Sequence, residues 1–232
     1  MKRYIFAALV ALLSFTSCVI ESGYTPEKSS VGRLLYNQAN KILYQHAIAY
    51  STYIIYADAI LNDDTAAIDI LKRDLFANFY TEILEDGVRI AHTNGSVTVN
   101  TGGKALTEGG VWRLFLYDHT NATYTCTGVV GQQRTFTVSN TNEIESVNIT
   151  VSYRVSEDNK ILLSFSGEGM RNMNNYTLSF NINDEDPIVV RHKSPYMPIR
   201  GTMYIDYIET QSGSKHSATA IAKNNSMEFI NR

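Results

Sequence analysis

The chain has 232 residues, of which 44% are hydrophobic and 19% charged, and its formal net charge at pH 7 is −3. Such a chain can bury a hydrophobic core, and it lacks the excess of lysine and arginine typical of nucleic-acid-binding proteins, so we exclude nucleic acid as a partner. Only two cysteines are present, and we therefore expect stability to come from the core and not from disulfide bonds.

The first 17 residues have the composition of a secretory signal. Lys2 and Arg3 provide a positively charged start, residues 4–15 are mainly apolar, and Thr16 and Ser17 are small. The apolar segment is shorter than the ~20 residues that a helix needs to span a bilayer. We therefore predict a signal peptide over residues 1–17, which is removed on export.

The end of this segment, Phe15-Thr16-Ser17-Cys18, resembles the lipobox of bacterial lipoproteins, which usually begins with Leu where this chain has Phe15. The resemblance implies cleavage before Cys18 and attachment of a diacylglycerol to its thiol, which would anchor the protein to a membrane. Because Val19 is not the aspartate that retains some lipoproteins at the inner membrane, the resemblance also implies an outer-membrane location in the cell envelope. Secretion without a lipid and an uncleaved signal anchor are the alternatives.

Two helices are predicted after the signal. Residues 18–30 are mostly polar and are predicted to form a flexible tether. Apolar residues then recur at steps of three and four up to Leu61, which predicts a long helix. A turn and helix cap at residues 62–65 precede a second amphipathic pattern that ends near Gly87. We predict a helical hairpin over residues 31–86, whose broad apolar faces must pack on the rest of the chain.

Residues 88–232 are predicted to form antiparallel β-structure. The clearest strand alternates apolar Val147, Ile149, Val151, Tyr153 and Val155 with polar residues. About ten strands separated by short turns are typical of a rolled or layered sheet. The predicted fold class is α+β, with the helical hairpin packed on an antiparallel β-sandwich or partly closed β-barrel, and with residues 31–232 forming a single domain.

The sequence contains none of the usual catalytic motifs. It has no Gly-x-Ser-x-Gly, His-Glu-x-x-His, Cys-x-x-Cys or Walker-type sequence. Asp118 and His119 are neighbours in a predicted strand, so they point to opposite faces and cannot easily share a proton. Residues 181–186 are rich in oxygen-bearing side chains but lack the pattern of a calcium-binding EF-hand, so we interpret them as a solvated turn. We predict no catalytic residue and no cofactor.

The histidines and Cys126 are interpreted as structural. His46 falls on the apolar stripe of the first helix, where we expect a core histidine bonded to a tyrosine. Cys126 lies in an alternating run typical of a buried, inert thiol. No metal site is predicted from the remaining histidines near strand ends, which are His92, His192 and His216.

Trp112 is the residue that we predict to bind a ligand. It lies beside a glycine-rich segment, residues 102–110, that can adapt to a ligand, and an aromatic ring can stack on a sugar. The alternative is a tryptophan buried in the sheet core.

The predicted function is a non-catalytic binding or structural role in the cell envelope, with a glycan, peptide or protein as partner. The alternative function is a hydrolase that acts on envelope or extracellular polymers through dispersed carboxylates.

Overall fold

The computed structural model describes residues 30–92, 95–102, 110–116, 121–130, 133–141, 144–191, 198–224 and 226–231. For residues 30, 49, 110–116, 121–130, 133–134 and 140–141 it describes the backbone only. The predicted signal peptide, nearly all of the tether, and Cys18 lie outside these residues.

One long helix runs over residues 30–61, as the apolar periodicity predicts. It consists of α1 (Ser30–Leu43), a π-helical segment (Tyr44–Ile48) and α2 (Ala49–Leu61). Residues 54–59 are six consecutive positions with no exposed surface. Since successive residues of an α-helix point in directions about 100° apart, other elements must contact α2 from every side. The helix is therefore a central part of the core and more deeply buried than a broad apolar face alone indicates.

A short third helix, α3 (Thr65–Asp74), follows a tight turn. The side chain of Asp64 accepts a hydrogen bond from the backbone nitrogen of Ala67 at 3.1 Å, which confirms the predicted cap. The predicted length of this helix was wrong, because the helix ends at Asp74 and residues Tyr80–Leu84 form a strand.

Aromatic contacts explain why the second helix stops early. The ring of Phe76 stacks on that of Tyr56 in α2, with centroids 4.4 Å apart, and the ring of Phe79 packs edge-on against His92 at 4.7 Å. These contacts anchor the segment between α3 and the first strand to the core. The apolar spacing after Asp74 therefore reflects tertiary packing, which overrides a weak local preference for helix.

In the described part of the chain, thirteen strands form one antiparallel sheet. They are β1 (Tyr80–Leu84), β2 (Gly87–His92), β3 (Gly95–Asn100), β4 (Gly110–Leu116), β5 (Asn121–Val130), β6 (Gln133–Thr141), β7 (Glu145–Val155), β8 (Ile161–Met173), β9 (Tyr176–Ile182), β10 (Ile188–Arg191), β11 (Pro198–Glu209), β12 (Lys215–Lys223) and β13 (Ser226–Asn231). The strand pattern predicted from Val147 to Val155 is confirmed, with its apolar positions on the buried side.

Neighbouring strands follow chain order, except that β9 and β10 share one position between β8 and β11. The turn that joins them holds the acidic residues Asp184, Glu185 and Asp186, which are exposed, as expected for a solvated turn.

Two glycines lie in the strands on either side of β9 and β10. Gly167 in β8 has a φ value of +117°, and Gly201 in β11 has a φ value of +112°. A Cβ atom at either glycine would overlap backbone atoms of the neighbouring strand, so both positions require glycine.

The sheet bends around the long helix. Segment α1 packs on β8, β9 and the last three strands, the π-helical segment packs on β6 and β7, and α2 packs on β2 and β3. The helix thus contacts both halves of the strand order, and its α2 portion is enclosed. The fold class is α+β, with N-terminal helices packed on curved antiparallel β-structure.

A buried polar contact fixes α2 against β7. Asp58 has no exposed surface, and the hydroxyl of Tyr153 donates a hydrogen bond to its Oδ2 atom. The amide of Asn62 donates to Asp58 Oδ1 at 3.0 Å. Because an unpaired carboxylate is costly to bury, these donors are needed to hold Asp58 in the core.

Candidate functional site

Three rows of side chains cross the helix-facing surface of the sheet. Residues paired across adjacent strands form a row, and every second residue along a strand lies on the same face. The core row is buried, and it consists of Val147, Gly169, Phe180, Ile205 and Ala218. Segment α1 lies directly on this row, since a Cβ atom at Gly32 would lie 3.7 Å from the Cβ atom of Ala218.

Two further rows lie beyond the core row, toward the end of the sheet where β7 begins and β8 ends. The first end row consists of Glu145, Arg171, Leu178, Tyr207 and His216. The second end row consists of Met173, Tyr176 and Glu209. The surface therefore changes from apolar to charged and aromatic within about 7 Å, the spacing of two residues along a strand.

An ion cluster occupies one end of the first end row. Nε2 of His46 contacts Oε2 of Glu145 at 2.5 Å, and Nε of Arg171 donates to Oε1 of Glu145, also at 2.5 Å. The side chains of His46, Glu145 and Arg171 are 12%, 15% and 13% exposed, so water screens the cluster only partly. The cluster ties the π-helical segment to β7 and β8.

The protonation of Glu145 follows from these contacts. Burial raises its pKa, but the hydrogen bonds and charges of His46 and Arg171 together lower it by more, so its pKa lies below the ordinary value. The sequence analysis predicted a tyrosine as the partner of His46 and did not identify Glu145. Glu145 is 99 positions away along the chain, and only the strand register brings the two residues together.

An aromatic group occupies the other end of the end rows. The rings of Tyr176 and Tyr207 stack with centroids 5.1 Å apart and planes 24° apart. The ring of His216 lies 6.2 Å from that of Tyr207 at 46°. Both tyrosines are half-buried against the core, and His216 is exposed. The group therefore has a fixed geometry and remains accessible to solvent.

A carboxylate lies beside the aromatic group. Glu209 pairs with Tyr176 across the strands and is two residues from Tyr207. Burial, and then the charge of Glu209 and the neighbouring Tyr176, raise the pKa of Tyr207. Oε2 of Glu209 accepts a hydrogen bond from the hydroxyl of Ser212 at 2.7 Å, so the surrounding turn holds the carboxylate. A carboxylate beside half-exposed aromatic rings suits polar ligands that also have an apolar face.

The predicted ligand-binding residue, Trp112, lies elsewhere in the sheet. It is in β4, where its Cα atom pairs with that of Tyr124, and it is two residues from Leu114, which pairs with the buried Val99. The side chain of Trp112 lies outside the described residues, as do those of Cys18 and Cys126. The role of Trp112 in ligand binding stays a prediction.

The other residues considered as sites are dispersed. Asp118, His119 and His192 lie outside the described residues, whereas His92 packs on Phe79. Within the described ranges, no group of three or more His, Cys, Asp or Glu side chains is arranged to hold a metal ion. The end rows are therefore the candidate site, and no sequence motif marks them.

Comparisons with protein-family models, curated proteins and solved structures found no match. Of the helices that the structure describes, none is long and apolar enough to cross a membrane.

Proposed function

We propose that this chain is an exported, lipid-anchored protein of the bacterial cell envelope with a non-catalytic binding role, whose ligand is a glycan, a peptide or another protein. The N-terminal sequence supports export, because a positively charged start and a short apolar segment precede a small residue and Cys18. The likeness of residues 15–18 to a lipobox supports the lipid anchor and an outer-membrane location.

The observation that supports a binding role is the composition of the end rows. Half-buried aromatic rings, an exposed His216 and the carboxylate of Glu209 lie together where the helix-facing surface reaches solvent. Binding sites combine apolar surface with a few fixed polar groups in this way. The hydrogen bond between the backbone nitrogen of Thr210 and the carbonyl oxygen of Asn175, at 3.0 Å, joins the two turns at this end.

The carboxylates of the end rows do not support the alternative hydrolase function. Glu145 and Glu209 lie on strands three positions apart and in different rows, which places their backbones roughly 16 Å from each other. The carboxyl groups of paired catalytic residues in glycoside hydrolases lie about 5–10 Å apart, so these two glutamates would form such a pair only with both side chains extended toward each other. Glu145 is also occupied by His46 and Arg171, which leaves it poorly placed to act as an acid or base on a substrate.

Lipid attachment tests the proposed anchor. Cells expressing the wild-type chain, Cys18→Ser or Cys126→Ser are grown with a radiolabelled fatty acid and then fractionated. We expect label and membrane association for the wild type and for the Cys126→Ser control, and loss of both for Cys18→Ser. A Cys18→Ser protein that keeps its signal and stays in the membrane fraction would show that the lipobox interpretation is wrong.

Binding is tested separately with purified protein that lacks residues 1–17. The protein is passed over immobilised glycans, peptides and envelope proteins, and retained ligands are analysed chemically after elution. We expect saturable retention by at least one class and recovery of that ligand unchanged. Cleavage of a retained polymer would instead favour the hydrolase.

A further inference from the structure

We propose that the end rows bind a neutral glycan, which lies across β8, β9, β11 and β12 and stacks on the aromatic group of Tyr176, Tyr207 and His216. This inference rests on the proposed binding function and names its ligand. It assigns contacts to Glu209 and to the aromatic side chains, and none of these residues was singled out for this role by the sequence.

The aromatic group has the shape that a sugar ring requires. Tyr176 and Tyr207 are close to parallel, with planes 24° apart, so each ring packs on one face of the other and holds it in place. A sugar ring has a flat face of C–H groups that packs on an aromatic ring, while its hydroxyls remain free to hydrogen-bond. The exposed His216 extends this surface by one strand.

The polar groups around the rings match sugar hydroxyls, which both donate and accept hydrogen bonds. Glu209 is a carboxylate acceptor with lone-pair sites beyond the one that Ser212 uses. The tyrosine hydroxyls and the imidazole of His216 can donate as well as accept. At the other end of the rows, the exposed Gln45 offers a side-chain amide.

Charge favours a neutral glycan over an acidic one. The charge of Glu145 is balanced by Arg171, which contacts it directly. The carboxylate of Glu209 lies beside the aromatic rings, where it repels the negative groups of uronic acids, sulfates and phosphates. A cation is the other ligand that suits aromatic rings, but cation-binding cages surround the charge with rings, whereas these two tyrosines stand side by side.

The sheet pairing disfavours an extended peptide at this position. A peptide that adds as a strand needs an unpaired backbone edge. In the described residues, β9 is paired with both β8 and β11, and the end of β11 that carries Tyr207 is paired with both β9 and β12. The distance from β8 to β12 is about 14 Å, at ~4.8 Å for each strand position, so the rows can contact a short oligosaccharide.

Calorimetric titration with folded protein tests this inference. The ligands are neutral oligosaccharides of glucose, mannose and N-acetylglucosamine, a uronic acid oligosaccharide, and an unstructured cationic peptide. The variants are Tyr176→Ala, Glu209→Gln and His216→Ala. The control is Tyr204→Ala, because Tyr204 lies on the opposite face of β11 and is 37% exposed. Thermal melts of each variant establish that it is folded.

We expect the wild type and Tyr204→Ala to bind a neutral oligosaccharide with affinities within about twofold of each other. Tyr176→Ala and Glu209→Gln should each weaken binding roughly tenfold or more, because a stacking surface or a charged hydrogen-bond acceptor is lost. Equal binding by Glu209→Gln, His216→Ala and the wild type would overturn the site. Binding of the peptide or of the acidic glycan in place of neutral glycans would overturn the ligand class and leave the proposed binding function intact. Binding of none of these ligands would overturn the inference.

Discussion

Replacing Glu145 with Gln should destabilise the protein, because it removes the carboxylate that both His46 and Arg171 contact. His46 and Arg171 both contact this carboxylate at 2.5 Å, and all three side chains are at most 15% exposed. Glutamine keeps the size of the side chain and one oxygen acceptor, but it has no charge to balance Arg171. The π-helical segment then loses a charged contact to β7.

The size of this effect follows from the burial of the cluster. Removing one partner of a fully buried ion pair costs 3–5 kcal/mol. Because the cluster keeps some contact with water and glutamine can still accept one hydrogen bond, we expect a loss of about 2 kcal/mol in the free energy of unfolding. In a domain of this size, that corresponds to a decrease of about 4–8 °C in melting temperature. Glu82→Gln is the matched control, since Glu82 and Arg89 are 55% and 45% exposed and 3.4 Å apart, and the expected loss is below ~0.5 kcal/mol.

The difference between the wild type and Glu145→Gln should also depend on pH. The pKa of Glu145 in the folded protein lies below its ordinary value of 4.5. Its contribution is therefore complete above about pH 5 and is lost as the pH falls through the folded-state pKa. Urea unfolding between pH 7 and pH 3 measures this difference. If Glu145→Gln matched the wild type at pH 7, or if the difference did not shrink in acid, the ion cluster would not stabilise the fold in the way described.

Three further predictions concern the fold. Tyr153→Phe should lower the free energy of unfolding by about 1–3 kcal/mol, because the buried Asp58 loses a donor; chemical denaturation that shows no change would contradict this. Gly169→Ala should cost about 1–3 kcal/mol, because a Cβ atom there would overlap the ring of Phe180, and thermal melts measure the loss. A fragment that begins at Val88 should lack a cooperative transition by near-ultraviolet circular dichroism, because the sheet packs around the missing helix; a native-like midpoint would show that residues 88–232 fold independently.

The main elements could be predicted because each has a local signal. The long helix follows from apolar residues at steps of three and four, and β7 follows from strict alternation between Val147 and Val155. The last strand, β13, was not predicted, because its alternation covers only Ser226 to Phe229 and the strand is held by pairing with β12. The strand β1 was taken for helix because Phe76 and Phe79 have helical spacing but pack in a turn.

The candidate site could not be predicted, because its residues come together through register alone. Glu145 is distant in sequence from Tyr207 and His216, and each of these side chains is unremarkable within its own strand. Their placement in one row depends on the pairing of β7, β8, β9, β11 and β12. The sequence does change from apolar to polar residues at the same end of neighbouring strands, but this pattern can be recognised only when the strand pairing is known.

Native electrophoresis through gels that contain neutral polysaccharides is the direct test of whether the end rows bind a neutral glycan without cleaving it. We expect that the wild type is retarded in at least one such gel, that Tyr176→Ala migrates as it does in a gel without polysaccharide, and that the recovered polymer keeps its length. Equal migration of the wild type in all gels, or a shortened polymer, would contradict it.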